Sequence, residues 1–255
     1  MQGSALKVEQ LNVNYGKRAA LWDVSFDLPQ GTLAAIIGPN GAGKSTLIKA
    51  ALGLIDRSGK VEVFGQPLKQ VFQKVAYVPQ RASVDWDFPL TVTDLVLMGR
   101  YGRLGLFKRP KAADRVAAEH CLELVGMAAY RDRQISQLSG GQQQRVFIAR
   151  AFTQEADLYF MDEPFSAVDL GTESILIQLL QDLKRQGKTV IVVHHDLESI
   201  KKYFEWAILL NVRLIASGSV EQVLTPAHLH AAYGQSYALF EEALKISQEQ
   251  QTGIK

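Results

Sequence analysis

The run Gly38-Pro39-Asn40-Gly41-Ala42-Gly43-Lys44-Ser45-Thr46 holds the residue types that grip phosphate. Glycines at 38, 41 and 43 let the backbone bend without a Cβ clash, so consecutive N–H groups converge on phosphate oxygens. At this spacing Lys44 reaches the β- and γ-phosphates and the Ser45 hydroxyl is placed for Mg²⁺. A second reactive pair, Asp162-Glu163, directly follows the apolar run Leu158-Tyr159-Phe160-Met161. An aspartate there serves the shell of the metal, and a glutamate one residue on can orient or deprotonate an attacking water. The chemistry these residues imply is binding of a nucleoside triphosphate with Mg²⁺, followed by hydrolysis.

Both groups need a scaffold that brings them to one edge. Leu33-Ala34-Ala35-Ile36-Ile37 is a short unbroken apolar run, the pattern of a parallel strand buried on both faces. Leu47 to Leu52 favours helix and stops at Gly53, so the glycines of the loop fall in a strand-to-helix turn. The following helix would point its positive dipole end at the same anion. Asp162 and Glu163 emerge at a strand's carboxyl end, where open α/β sheets bind their ligands.

The remaining elements complete an α/β chain. Leu6, Val8, Leu11, Val13 and Tyr15 alternate with polar residues, with one slip near Gln10, and Val24, Phe26 and Leu28 alternate cleanly. They predict two half-buried antiparallel strands joined around Gly16-Lys17-Arg18. Short strands follow at Val61-Phe64, Val75-Val78 and Val190-Val193, with a hairpin turning near Asn211 and helix beyond Pro226. From about Arg81 to Ser136 the character becomes helical: Thr91 starts a helix, and Val116, Ala117, His120, Cys121, Leu124 and Val125 trace a stripe. Ile175, Leu176, Leu179, Leu180 and Leu183 mark another helix, closed by Gly187. Either His194 or His195 could be a buried strand-end histidine satisfied by backbone. His228 and His230, at i and i+2, diverge on a helix and make a poor chelate, and His120-Cys121 can belong to the apolar helix stripe.

Composition narrows the class. With 255 residues, 47% hydrophobic and 21% charged, the chain has enough apolar mass for one large domain or two lobes sharing a core. A net charge of +2 is too weak to argue for nucleic acid as a partner, none is expected, and any basic surface must be local. The single Cys121 fits a reducing compartment. No apolar signal segment opens the chain, and no run approaches the roughly 18 apolar residues of a membrane span. Work at a membrane would therefore need another subunit to hold the chain there.

Leu138-Ser139-Gly140-Gly141-Gln142 predicts a helix N-cap at Ser139 with two glycines opening the helix. The stretch resembles, letter for letter, the signature of the ATP-binding cassette family. The resemblance runs over nearly the whole chain in family order: Tyr15, the phosphate loop, Gln80, the signature, Asp162-Glu163, Ser166-Ala167-Val168-Asp169 and His195. The family usually has leucine where Val168 stands.

That resemblance implies a P-loop fold with a RecA-like parallel-sheet core, an N-terminal antiparallel β subdomain and an inserted helical subdomain. It implies one ATP-binding domain over residues 1–246, the helical subdomain over about 81–153, and a polar tail over 247–255. It further implies a head-to-tail pair of copies, each ATP closed between one copy's phosphate loop and the other's signature. In that arrangement Tyr15 stacks on adenine, and Ser139, Gly140, Gly141 and Gln142 cap the partner's nucleotide. Gln80 touches Mg²⁺ and the water, Asp169 links the two sites, and His195 contacts the γ-phosphate. The metal shell is Ser45, Gln80 and Asp162, and the catalytic group is Glu163, His195 and Gln80.

A narrower resemblance concerns cargo. Ser83-Val84-Asp85-Trp86-Asp87-Phe88-Pro89, Met98-Gly99-Arg100-Tyr101, Asp162-Glu163-Pro164-Phe165 and Leu209-Leu210-Asn211 look like the cassettes of manganese, zinc and iron uptake systems. They imply an importer subunit on the cytoplasmic face of the plasma membrane. Its partners would be an integral membrane permease and, indirectly, an extracytoplasmic metal-binding protein. Manganese ranks first, then zinc or iron. Trp86 and Phe88 are expected as exposed interface anchors, and the basic cluster Arg100, Arg103, Lys108, Arg109 and Lys111 as a solvated loop. The competing classes are a cassette ATPase for other cargo, and a soluble cassette protein acting on ribosomes or chromosomes.

Overall fold

The computed structural model describes residues 3–104, 108–166 and 170–234. Asp169, with Ala167 and Val168, and the tail expected from residue 247 lie outside the described residues. The strands are β1 (Ser4–Tyr15), β2 (Arg18–Pro29), β3 (Leu33–Ile37), β4 (Ser58–Val63) and the short β5 (Gln66–Pro67), followed by β6 (Val75–Val78) and β7 (Leu158–Asp162). The last three are β8 (Thr189–Val193), β9 (Trp206–Asn211) and β10 (Arg213–Ser219).

They form two sheets. β2-β1-β4-β5 is antiparallel, and β10-β9-β3-β8-β7-β6 is parallel except for the hairpin strand β10. Parallel pairing of β3, β6, β7, β8 and β9 puts their carboxyl ends on one edge. That edge therefore receives the phosphate loop after β3, Gln80 after β6, Glu163 after β7 and His195 after β8.

The apolar runs look uniform in sequence, yet successive side chains serve different cores. Leu33, Ala35 and Ile37 of β3 face one cluster with Tyr159, Met161, Val190 and Val192. Ala34 and Ile36 face the other with Leu158, Phe160, Ile191 and Val193. The first core is closed by the helical lobe and the helices Leu170–Arg185 and Leu197–Tyr203, the second by the antiparallel sheet and the helix Lys44–Ala51. Each such buried Leu, Ile or Phe contributes about 1.5–3 kcal/mol. The alternation slip near Gln10 is a β-bulge: Gln10 has φ 50° and its N–H donates to Ser25 Oγ at 2.8 Å.

Two helical stripes differ from expectation. In the helix Ala112–Leu124, Val116 is 66% exposed, His120 is exposed, and Asp114, Ala118, Cys121 and Leu122 form the buried face. Asp114 can occupy that face because Arg100 Nε donates to it at 3.0 Å. In the helix Leu170–Arg185 it is Ile177, not Ile175, that is buried with Leu176 and Leu180.

The basic cluster divides as well. Arg100 pairs with Asp114 and with Glu155, and Arg103 pairs with Glu155, so these two brace the lobe rather than face solvent freely. Trp86 is half-buried, its ring 5.0 Å from Phe147 and its Nε1–H donating to Arg81 O, whereas Phe88 remains 57% exposed. Among the described residues, no helix is long and apolar enough to cross a membrane.

Candidate active site

The phosphate loop keeps its shape through contacts that only glycine permits. Gly38 has φ 150°, and a Cβ there would stand 2.1 Å from Leu210 O of β9. Gly43 has φ 94°, with Ala20 O and Leu21 Cδ2 both 2.6 Å from where a Cβ would be. The loop is pinned to the β9–β10 turn: Val212 N–H donates to Ala42 O at 2.9 Å, and Trp22 N–H donates to Val212 O at 2.8 Å. The helix Lys44–Ala51 then starts from Gly43.

Lys44 is buried, and its Nζ donates to Gly38 O at 2.8 Å and Pro39 O at 3.0 Å. Burial pushes its pKa down, opposed by the carboxylates of Glu163 and Asp162. The loop thus holds an ammonium that lacks an acidic hydrogen-bond partner among the described residues and is available to a phosphate.

Ser45 Oγ donates to Asp162 Oδ1 at 2.9 Å. Asp162 is 1% exposed, and burial raises its pKa against the lowering effect of the Ser45 hydrogen bond. A hydroxyl and a buried carboxylate at this separation are hard oxygen donors of the kind that Mg²⁺ selects.

Glu163 takes a left-handed backbone, φ 52°, at the point where β7 ends. That conformation is uncommon outside glycine and marks a residue held by its surroundings. Its carboxylate is gripped on both sides: Gln80 Nε2 donates to Oε2 at 2.9 Å, and His195 Nε2 lies 2.7 Å from Oε1. Glu163 also lines the cavity of about 410 Å³ that Lys44, Ser45, Thr46, Asn40, Gly41 and Tyr15 surround. Tyr15 is 55% exposed at the end of β1, open for a stacking partner.

His194, beside His195, sits between the rings of Phe165 and Phe204, with centroids 5.0 and 5.7 Å away. Burial drives its pKa down to about 4, so it is neutral at pH 7. Asp196 caps the helix Leu197–Tyr203 by accepting from the N–H groups of Glu198 and Ser199.

Ser139 caps the helix Gly140–Thr153 as expected, in a reciprocal box: Ser139 N–H donates to Gln142 Oε1 at 2.9 Å and Gln142 N–H to Ser139 Oγ at 3.4 Å. None of Ser139, Gly140, Gly141 and Gln142 lines the Lys44 cavity. The fold therefore gathers Tyr15, the phosphate loop, Gln80, Asp162, Glu163 and His195 into one site and leaves the signature residues outside it.

Three residues went unread in the sequence. Arg81 Nε donates to Gln143 Oε1 at 2.9 Å, fastening the Gln80 loop to the signature helix. The Tyr77 hydroxyl is buried without a partner among the described residues, its pKa pushed up to about 12 by burial and by Asp162. Arg18, directly opposite Tyr15 in the hairpin, lines the cavity that the phosphate loop surrounds. Its position three residues after Tyr15, across the turn Gly16-Lys17, was the signal available.

A phosphate-binding strand–loop–helix that shares a sheet edge with a strand-end Asp-Glu pair defines a P-loop ATPase. The chain belongs to the ABC transporter family, whose description matches residues 21–166. It is similar to the zinc transport system ATP-binding protein TroB of Treponema pallidum, 55% identical over 90% of this chain and 87% of that protein. It is equally similar to the manganese transport system ATP-binding protein MntB of Bacillus subtilis, 55% identical over 90% of this chain and 92% of that one. Among solved structures, an inward-facing metal-chelate type ABC transporter matches with a TM-score of 0.78 and 34% identity, over 90% of this chain and 89% of the other. An ATP-binding subunit of this family is an ATPase and works with a membrane permease.

Proposed function

We propose that the chain is the ATP-hydrolysing subunit of an importer for a divalent transition metal, manganese first and zinc or iron next. The observation that carries this reading is the 55% identity, over nine-tenths of the chain, to ATP-binding proteins of zinc and manganese transport systems. The residues from Ser83 to Pro89 and from Met98 to Tyr101, which resemble that subgroup, lie in the segment joining the Gln80 loop to the helical lobe. There they would meet the permease rather than the ion.

In hydrolysis Glu163 is the general base, or the group that orients the attacking water. Its grip by Gln80 and His195 favours this role, because a positioned carboxylate loses little freedom on reaching the transition state. Lys44 and the loop N–H groups take the phosphates, Tyr15 the adenine, and His195 the γ-phosphate. Mg²⁺ would be held by Ser45, Gln80 and Asp162, and when bound it neutralises charge on the terminal phosphates. A second copy, arranged head to tail, places its Ser139, Gly140, Gly141 and Gln142 on that nucleotide, with Asp169 linking the two sites. The position of the signature outside the Lys44 cavity supports a site completed in trans.

On this reading one cassette spans residues 1–246 and works on the cytoplasmic face of the plasma membrane. A permease holds it there, and an extracytoplasmic metal-binding protein feeds the permease. The test is uptake in a strain deleted for the gene, compared across manganese, zinc and iron with and without the restored chain. A defect in one or more of these metals is expected, and unchanged uptake of all three would reject metal import.

A further inference from the structure

The hairpin that carries Tyr15 also carries a cation whose side chain has no partner among the described residues. Tyr15 and Arg18 are paired residues at the β1–β2 turn, and Gly16 takes φ 59° to close it. Both line the cavity formed by the phosphate loop. The Arg18 guanidinium makes no hydrogen bond or ion pair with any described residue, in contrast to Arg100, Arg103 and Arg131, each engaged by a carboxylate. Lys44 and Arg18 are the two cations on the cavity wall, while Glu163 adds a negative charge.

A nucleoside triphosphate brings several negative charges into this space, and Lys44 sits at one end, held among the loop carbonyls. Ala19 and Ala20, which follow Arg18 in β2, line the same cavity with small side chains, and Ala20 O lies 2.6 Å from where a Cβ on Gly43 would be, so this strand runs beside the phosphate loop. Arginine's planar fork pairs with phosphate oxygens in a way a solvated surface charge does not. If Tyr15 stacks on the base, its hairpin partner stands beside the first phosphate rather than the last.

We infer that Arg18 is a second phosphate-binding residue, contacting the α-phosphate end of the nucleotide. The inference rests on the nucleotide site described above. Its test is equilibrium binding of ATP and ADP to the full chain, comparing wild type with Arg18→Ala, Arg18→Lys and Lys44→Ala. Arg18→Ala is expected to weaken ATP and ADP by the same factor, about tenfold, and Arg18→Lys, which keeps the charge but not the fork, to recover only part of that loss. Because the Arg18 side chain has no partner among the described residues, thermal unfolding of the nucleotide-free Arg18 variants should match wild type. Affinities within twofold of wild type would overturn the inference, leaving a solvated arginine. Loss for ATP alone would also overturn it, since the contact would then be to the γ-phosphate. Failure of wild type to bind ATP, or full affinity in Lys44→Ala, would instead reject the underlying site.

Discussion

Ser45 Oγ and Asp162 Oδ1 stand 2.9 Å apart although 117 positions separate them in the chain. The contact joins the first turn of the helix after the phosphate loop to the last residue of β7. Removing the carboxylate charge tests whether this pair is the metal shell. Asp162→Asn should weaken Mg²⁺-dependent ATP binding by roughly 10–100-fold and change magnesium-free binding much less. Titrating ATP binding against Mg²⁺ checks it, and an unaltered Mg²⁺ dependence would remove Asp162 from that role.

Glu163 offers a sharper separation of binding from turnover. Glu163→Gln keeps an acceptor for Gln80 and the same shape, but it cannot take a proton. ATP affinity should hold, while steady-state hydrolysis falls by roughly 10²–10⁴-fold. Near-normal phosphate release from the purified complex would assign the base elsewhere.

The glycines of the loop should not be equivalent. An alanine at Gly38 would meet Leu210 O at 2.1 Å in a strained backbone, whereas Gly41 has φ 80° and nothing within 4 Å of its Cβ position. Gly38→Ala should cost about 3 kcal/mol, because β9 must retreat. Gly41→Ala should cost about 1 kcal/mol from conformation alone. Urea unfolding of the two variants measures the difference, and equal losses would show that contact with β9 does not shape the loop.

Much of this could be read from the chain. The strand-to-helix setting of Gly38–Thr46, the cap at Ser139, the bulge at Gln10 and the turn near Asn211 each follow from local periodicity or turn chemistry. Long-range pairing could not be read that way. Gln80 and His195 meet on Glu163 only because β6, β7 and β8 lie side by side in register. Without that sheet order, an isolated Gln and His carry no sign of a shared partner. The helix Ala112–Leu124 was misread for a related reason. Its core face includes Asp114, whose charge is neutralised by Arg100 from another helix turn, so apolarity alone pointed to Val116 instead. The same pairing hid the fate of the basic cluster.

His194 gives the fold a pH dependence. Its pKa is about 4 in the folded chain and about 6.5 when unfolded, so between these values the unfolded state binds more protons. Its contribution to stability is therefore full above pH about 6.5 and is lost as pH falls towards 4, at most about 3 kcal/mol. His194→Phe should flatten the pH dependence of unfolding free energy across that window, whatever it does to absolute stability. An unchanged slope would place the acid sensitivity in other groups.

The central claim is that each ATP needs the phosphate loop of one copy and the signature of another. The most direct measurement is the solution mass of the Glu163→Gln chain with saturating ATP, taken by light scattering. The expected result is a species of twice the chain mass that reverts to single chains when Ser139→Arg is added. A single-chain mass with ATP demonstrably bound would contradict it.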